Sequence, residues 1–260
     1  MINSKQRFVI VIVDGASDVR CLRFVLSDLY ERINSTLEVL FFPEENCEDD
    51  KKGDITSRYG MNPEKIAGYI SGRYIDPTLK RYGDLPPECI AEIIHVIDTD
   101  GAYIDDSSIK YDAKHQKIYY GKNEIRTAKV KAVMKRNKEK RGNVDFLCSL
   151  SCISFKDVHI PYSIYFFSSN LDHVLCGDAN LDITKKYAKA KEFAKKCNDN
   201  PEQFLKAIEL IPGTLLNTTY EDSWSFIRER GNNSINPHTN INILIKKLLE
   251  QSNNNKKMKP

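Results

Sequence analysis

The chain has 260 residues, of which 41% are hydrophobic and 29% are charged, and its formal net charge is +3. This balance is typical of a globular protein with a sizeable core, and the net charge is too small to indicate a nucleic-acid partner by itself. Because no run approaches the roughly 18 apolar residues of a membrane span and the first residues are polar, we expect neither a membrane segment nor a secretory signal.

The first elements along the chain predict a βαβ unit. The β-branched run at 7–13 is typical of a strand buried on both faces, a helix follows over about 18–29, and a second strand is predicted at 37–42. Such units have parallel strands joined by a right-handed crossover. Residues 44–60 are acidic and lack periodicity, which predicts a surface loop before a helix at about 63–74.

The middle of the chain combines a third buried strand with an insertion. The strand is predicted at 89–97, and alternating polar and apolar residues predict an inserted hairpin at about 110–127. A strongly basic helix is predicted at 128–141, with Gly142 as its end and a second helix over 144–151.

A fourth buried strand, at 160–167, completes the predicted sheet. We therefore expect an α/β domain at residues 1–180, with an open, mainly parallel sheet flanked by helices. Helical periodicity predicts a helical C-terminal segment at 181–250, and the Asn- and Lys-rich residues 251–260 are expected to be disordered.

Polar residues follow three of the predicted strands. Asp14 follows the first strand, Asp98 and Asp100 follow the third, and the fourth is followed by Asn170, Asp172 and His173. In open parallel sheets, ligands bind beyond the carboxyl ends of the strands, so these side chains are expected to converge. Clustered carboxylates repel one another, and Mg²⁺ or Mn²⁺ neutralises them through the oxygen ligands that such ions prefer. The sequence thus predicts a divalent-metal site with Asp98 and Asp100 at its centre.

Three segments carry a resemblance to the Toprim fold. VIVDGASDVRCLRFVL resembles its first motif, in which a strand ends in Glu-Gly and an Asp follows at the start of the next helix. HVIDTDGAYIDD resembles its Asp-x-Asp motif. The strand that ends in Ser169-Asn170, followed by an acidic residue, is similar to a pattern in small stand-alone Toprim-like phage-defence proteins. The resemblance covers roughly residues 8–178.

The resemblance implies a Toprim-like fold and a Mg²⁺- or Mn²⁺-dependent nuclease, similar to the overcoming-lysogenization-defect type that acts in phage defence. By position, Asp14 stands where the family has glutamate, and Asp18 stands for the acid that follows it. Asp98 and Asp100 match the metal-binding pair. The implied metal ligands are therefore Asp14, Asp18, Asp98 and Asp100. The candidate catalytic residues are Asp14, Asp98, Asp100 and His173. Asp14 is one methylene shorter than the family's glutamate, which bears on catalysis more than on the fold.

Two basic stretches are candidates for contact with DNA or RNA. A run of cations on a helix is usually a solvated face, but the first stretch contains a single acid, so its local field favours phosphates. Its candidate residues are Lys129, Lys131, Lys135, Arg136, Lys138, Lys140 and Arg141. In the second stretch, Lys185 or Lys186 could reach the acidic crevice and stabilise developing phosphoryl charge.

Two other functions fit the same residues. The segments DTDG and YFFSSN resemble the first two motifs of haloacid-dehalogenase-like phosphatases, with Asp98 as nucleophile, Asp100 as acid/base and Ser169 as phosphate binder. In that family a later strand ends in a pair of acidic residues, and no later predicted strand of this sequence ends in such a pair. A non-catalytic Toprim-like module is the other alternative, binding nucleic acid or an ATPase subunit supplied in trans.

The setting expected for this chain is the cytoplasm. Its seven cysteines include no CxxC pair, which argues against disulfides and a structural zinc site and favours reduced thiols. No membrane partner is expected, and a homo-oligomer is compatible with the sequence.

Overall fold

Two sheets organise the chain. The computed structural model describes residues 6–44, 54–229 and 231–258. Within these residues the strands are β1 (Arg7–Ile12), β2 (Leu37–Phe42), β3 (Ile90–Asp98), β4 (Ile109–Tyr111), β5 (Tyr119–Tyr120), β6 (Ile125–Thr127), β7 (Cys152–Phe155), β8 (Val158–Ser168) and β9 (His238–Thr239). The larger sheet has the order β2-β1-β3-β8-β7, with β9 also paired to β8, and the small sheet has the order β4-β6-β5.

The helices occupy the connections between these strands and the C-terminal part of the chain. They are α1 (Ala16–Ile33), α2 (Pro63–Ile70), α3 (Asp76–Arg81), α4 (Val130–Cys148), α5 (Leu171–Cys176), α6 (Ile183–Lys196), α7 (Pro201–Glu209), α8 (Tyr220–Arg228) and α9 (Ile241–Met258). A wide turn of π-helix joins α2 to α3. The expected start of α2 is confirmed, because the Asn62 side chain accepts a hydrogen bond from the Lys65 amide and Pro63 opens the helix.

The larger sheet is parallel along β2, β1, β3 and β8, and only β7 and β9 run antiparallel to β8. Alternate residues of β1 face opposite layers of helices, which is why its sequence is apolar throughout. Val9 and Val11 pack with α1, α6, α7 and α9. Phe8 and Ile10 pack with α2, α3, α4 and α8. The expected α/β class, with a mainly parallel sheet between helices and a helical C-terminal segment, is confirmed.

The small sheet replaces the simple hairpin that the sequence predicts at about 110–127. The antiparallel pair β5 and β6 is present, but β4 adds a third strand parallel to β6. Ile109 and Ile125 on its inner face join Val133 of α4 and Ile235 in a separate small core. The insertion is therefore fixed both to α4 and to the segment that precedes α9.

Two helix boundaries differ from the sequence prediction. Helix α4 continues through Gly142 to Cys148, because the buried residues Asn143, Val144 and Leu147 extend its inner face beyond the glycine. The second helix predicted over 144–151 is therefore the end of α4, and β7 follows it. Helix α9 continues to Met258, so the predicted disordered tail is helical up to that residue. Its Ser252 is buried, and Asn255 donates a hydrogen bond to the Ile33 carbonyl.

In the part of the chain that the structure describes, no helix has both the length and the apolar character to span a membrane. The six cysteines described there are free thiols.

Candidate functional site

The ends of β1, β3 and β8 meet at Asp98. The Asp98 amide donates a hydrogen bond to Oδ2 of Asp14 at 2.8 Å, which joins the segment after β1 to the end of β3. The Asp98 Oδ1 in turn accepts a hydrogen bond from the Leu171 amide at 3.0 Å, at the start of α5. The expected convergence at the carboxyl edge of the sheet is therefore present.

Asp18 and Asp172 extend this acidic cluster from two helices. Asp18 lies in the first turn of α1 and is 6% exposed, while Asp172 lies in the first turn of α5 and is 4% exposed. Burial, followed by the charge of Asp172, raises the pKa of Asp18 to about 7. The Lys186 ammonium of α6 pairs with Oδ2 of Asp172 at 2.5 Å. The sequence left Asp172 out of the expected metal ligands, although its place after the fourth strand was visible.

Asp14 and Asp98 form no ion pair in the described residues. Burial raises the pKa of Asp98 well above its usual value, and the charges of Asp18 and Asp14 add to the effect. The pKa of Asp14 is likewise raised, first by burial and then by the charge of Asp54. Adjacent ionised carboxylates in a partly buried crevice stabilise a bound cation and disfavour one another without it.

Asp100 lies in a different environment from its neighbour Asp98. Its backbone has a φ of +52°. Its carboxylate pairs with the Lys140 ammonium at 2.7 Å and accepts a hydrogen bond from the Tyr120 hydroxyl at 2.8 Å. Burial alone would raise the pKa of Asp100, but Lys140 and Arg136 lower it to about 2. The Asp100 carboxylate is thus ionised and already paired with a cation of the protein. We had predicted Asp100 as a metal ligand, and such a ligand would not be paired in this way.

Lys140 is fully buried between two aspartates. Its ammonium pairs with Asp100 and with Oδ2 of Asp54 at 2.5 Å, and its side chain is 0% exposed. Burial disfavours the charged form, but Asp100 and Asp54 together raise the pKa of Lys140. The interpretation of Lys140 as a nucleic-acid contact is therefore wrong, because solvent and ligands cannot reach it.

Asp54 is a site residue that the sequence prediction missed. It lies in the stretch that we predicted to be a surface loop, and it also accepts hydrogen bonds from the Thr56 amide and hydroxyl. An aperiodic acidic segment carries no pattern that tells which of its acids turns inward. The burial of Lys140 could have been predicted from helical periodicity. It lies on the same stripe of α4 as the buried residues Val133, Asn137, Val144 and Leu147.

The turn after Asp98 is fixed by the segment that precedes α9. The Thr99 hydroxyl and the Gly101 amide both donate hydrogen bonds to the Ser234 carbonyl, at 2.7 and 3.0 Å. Gly101 has a φ of +69°, and a Cβ there would lie 2.5 Å from Cγ2 of Ile235. The glycine is therefore required both by the backbone conformation and by the close packing.

His173 does not join the aspartates. In the described residues its ring forms one hydrogen-bond contact, between Nδ1 and the Ser169 hydroxyl at 3.3 Å. Burial lowers its pKa, and the charges that act on it are those of Asp178 and His238. The His173 ring therefore forms no hydrogen bond with the acidic cluster in the described residues, and its catalytic role stays a prediction.

Besides the buried Lys140, the candidate nucleic-acid residues fall into three groups. Arg136 and Arg141 donate hydrogen bonds to the carbonyls of Asp100 and Ala102, so they brace the turn after β3. Lys186 pairs with Asp172. The remaining lysines are exposed and accessible to a phosphate backbone, although Lys135 pairs with Glu139 at 3.8 Å: Lys129, Lys131, Lys135, Lys138 and Lys185.

The donor chemistry fits a hard divalent cation, since such an ion prefers carboxylate oxygens and its charge favours the ionised form of these carboxyl groups. The geometry is less complete. Across the described ranges, no three His, Cys, Asp or Glu side chains are gathered closely enough to hold a metal ion. Asp14 and Asp98 instead accept hydrogen bonds from backbone amides. Asp14, Asp18 and Asp98 would have to rotate towards a common point to become ligands.

Comparisons with protein-family models, with curated proteins and with solved structures found no match for this chain.

Proposed function

We propose that this chain is a Mg²⁺- or Mn²⁺-dependent nuclease that cleaves phosphodiester bonds of DNA or RNA, and that it acts in phage defence. The observation that carries the nuclease proposal is the cluster of Asp14, Asp18 and Asp98. Asp14 and Asp98 lie at the carboxyl ends of the adjacent strands β1 and β3, and Asp18 lies in the first turn of α1. None of the three forms an ion pair among the described residues, and the pKa of each is raised. The resemblance to Toprim motifs at the same residues supports the proposal and is the basis for the role in defence.

Asp14, Asp18 and Asp98 would hold the ion through their carboxylate oxygens. A bound divalent ion supplies neutralisation of the phosphate charge and a water of lowered pKa. Lys186 lies within the field of Asp98 and Asp18 and is half-buried, so it is placed to stabilise charge on a phosphoryl oxygen. Lys140 has a positioning role, because it keeps Asp100 ionised and fixes the turn that carries Asp98.

A cleavage assay with Asp98→Ala tests the proposal. Plasmid DNA, single-stranded DNA and tRNA are incubated with the full chain in Mg²⁺ or Mn²⁺. Loss of a ligand is expected to lower cleavage by at least about 100-fold. Asp222→Ala, which removes an exposed aspartate from α8, is the matched control and should cleave like the parent chain. Equal cleavage by parent and Asp98→Ala would overturn the proposal.

Metal binding is measured separately from cleavage. A ligand that binds only the folded chain raises its melting temperature. Mn²⁺ is therefore expected to raise the melting temperature of the parent chain and of Asp222→Ala, and not that of Asp98→Ala. Stabilisation by Mn²⁺ without cleavage of any nucleic acid would favour the non-catalytic module instead.

A phosphatase is the second candidate, and one observation favours it. The sequence lacks a later strand with paired acids, but β1 lies beside β3 in the sheet and supplies Asp14 and Asp18 there. Ser169 lies beside the same turn, since its carbonyl accepts a hydrogen bond from the Asp100 amide at 2.8 Å. Turnover of an aryl phosphate monoester that is abolished in Asp98→Asn, without cleavage of nucleic acid, would select this function over the nuclease.

A further inference from the structure

The outer face of the small sheet carries cations and an aromatic side chain in one row. Lys110 of β4 and Tyr119 of β5 are both register partners of Arg126 in the central strand β6. Side chains of register partners project to the same face of a sheet. All three are exposed, and Glu124 holds the Arg126 guanidinium at 2.6 Å.

A second ring extends the aromatic part of this surface. The His115 imidazole stacks on the Tyr119 ring, with centroids 4.4 Å apart and an interplanar angle of 19°. Tyr119 is still 38% exposed beneath this stacking contact. Flat aromatic groups of this kind offer stacking platforms for bases, and every base has a face that can stack on them.

The charge of the same segment complements a phosphate backbone. Residues 109–129 contain six Lys and Arg side chains against two acids, Asp112 and Glu124. The exposed Lys129 and Lys131 lie next to the small sheet at the start of α4, so the positive surface continues onto that helix. An acidic polypeptide would satisfy the cations, but it would leave the stacked ring pair without a flat partner.

The inner face of β5 contacts Asp100. Tyr120, next to Tyr119, points to the opposite face and donates its hydroxyl hydrogen bond to Asp100. The backbone of Tyr120 is held by two hydrogen bonds with Asn180, each of 2.8 Å. The small sheet that carries Tyr119 is therefore fixed to the turn of Asp100.

We propose that the outer face of the small sheet binds unpaired nucleic-acid strands, with Tyr119 as the base-stacking residue and Lys110 and Arg126 as phosphate contacts. The inference rests on the proposed nuclease function, for which it names the substrate class. Unpaired strands are favoured over duplexes because base faces are accessible only when the bases are not stacked within a helix.

The test measures binding in EDTA, where no metal-dependent cleavage takes place. Fluorescent single-stranded DNA, single-stranded RNA and a duplex of the same sequence are titrated with the full chain. Tyr119→Ala is expected to weaken binding of the unpaired strands about fivefold or more and to leave duplex binding unchanged. Tyr119→Phe keeps the stacking ring and should bind like the parent chain. Phe24→Ala, which removes an exposed aromatic ring from α1 on the other layer, is the matched control.

The outcomes separate this inference from the nuclease proposal. Equal binding of unpaired strands by the parent chain and Tyr119→Ala would overturn the inference, as would tighter binding of the duplex or of a poly-glutamate peptide. Lys110→Glu probes the same face if Tyr119→Ala does not fold, and it is expected to weaken binding and to reduce its salt dependence. Binding that depends on Tyr119 with no cleavage in Mg²⁺ would leave the inference standing and remove the nuclease. The stronger of the DNA and RNA arms identifies the strand.

Discussion

A single buried ammonium group divides the acidic cluster into two halves. Lys140 pairs with both Asp54 and Asp100, while Asp14, Asp18 and Asp98 form no ion pair in the described residues. A buried ion pair contributes little net stability when it is complete, but the loss of one partner leaves an uncompensated charge in a poorly solvated place. We therefore expect Lys140 to stabilise the turn at Asp100, next to Asp98.

We expect Lys140→Met to lower the free energy of unfolding by about 3 kcal/mol, because Asp54 and Asp100 lose their shared cation. Lys138→Met is the matched control, since it makes the same change two residues away on the exposed face of α4. It should stay within about 0.5 kcal/mol of the parent chain. Urea unfolding at neutral pH gives both values, and equal losses in the two variants would contradict the assigned role.

A pH dependence of stability follows from His95. Burial lowers its pKa from 6.5 to about 4 in the folded chain. Between these values the unfolded chain binds a proton that the folded chain does not, so stability falls as the pH drops through this window. The loss amounts to about 3 kcal/mol when it is complete, at about 1.4 kcal/mol for each pKa unit.

The measurement compares the parent chain with His95→Gln by urea unfolding at several pH values between 7 and 4.5. Other groups contribute equally to both chains, so the difference between them isolates His95. The stability advantage of His95→Gln is expected to grow as the pH falls. His159→Gln, which removes an exposed histidine, controls for the change in composition. Parallel curves for the parent chain and His95→Gln would exclude the effect.

Individual residues of the site were predictable from the sequence where a strand end positions them. Asp14, Asp98 and Asp100 follow strands whose carboxyl ends lie at one edge of a parallel sheet, so their convergence followed from topology. Asp54 was not predictable, because no periodic element positions it. The different environments of Asp98 and Asp100 were also not predictable. Of these two, only Asp100 pairs with Lys140 in the described residues, and Lys140 is 40 residues away in the chain.

Helix α4 shows how the packing of an element overrides a local stop signal. A glycine after a basic stretch commonly ends a helix, and the sequence prediction ended it at Gly142. In the structure this glycine lies inside the helix, and a Cβ there would meet nothing within 4 Å. The buried stripe on both sides of Gly142 supports the continuous helix.

Gly142→Ala is therefore expected to raise the free energy of unfolding by about 0.5–1 kcal/mol, because alanine restricts the unfolded chain and favours the helix. Gly101→Ala should have the opposite sign and cost about 2 kcal/mol, since its positive φ and its packing against Ile235 resist a side chain. Thermal and urea unfolding of the two variants check both signs. Destabilisation by Gly142→Ala would indicate that the helix does end there.

The strands were more predictable than the small elements around them. Apolar runs identified β1, β2, β3 and β8, and the clearest of them belong to the interior strands β1 and β3, whose residues are mostly buried. β7 and β9 are short strands that pair with β8, so their formation depends on tertiary contacts that no local sequence pattern indicates. The parallel pairing of β4 with β6 is likewise a tertiary contact that the local sequence does not indicate.

The molecule as a whole does not divide where its sequence pattern changes. Helices α6, α7 and α9 join α1 in the layer over Val9 and Val11, where Leu244 and Leu248 of α9 are fully buried, and α8 packs in the opposite layer. β9 also pairs with the end of β8. The α/β part and the helical segment therefore share one core.

We expect the fragment 1–180 to fail to fold, because it leaves one face of β1, β3 and β8 without α6, α7 and α9. Its near-ultraviolet circular dichroism should lack the signal of fixed side chains, and it should bind a hydrophobic dye. Addition of the fragment 181–260 is expected to restore the native signal. A cooperative thermal transition in the isolated fragment 1–180 would show that the α/β part is independent.

The hydrogen bond from Thr99 to Ser234 spans 135 residues of chain and has a consequence for biosynthesis. A ribosome releases Asp14 early and Asp98 later, but the carbonyl that fixes the turn after β3 emerges after both. The contact is non-local and cannot form on a growing chain that still lacks residue 234. A nascent polypeptide therefore carries its acidic residues without the finished crevice. The geometry of the turn that presents Asp98 is therefore completed only after residue 234 has been synthesised.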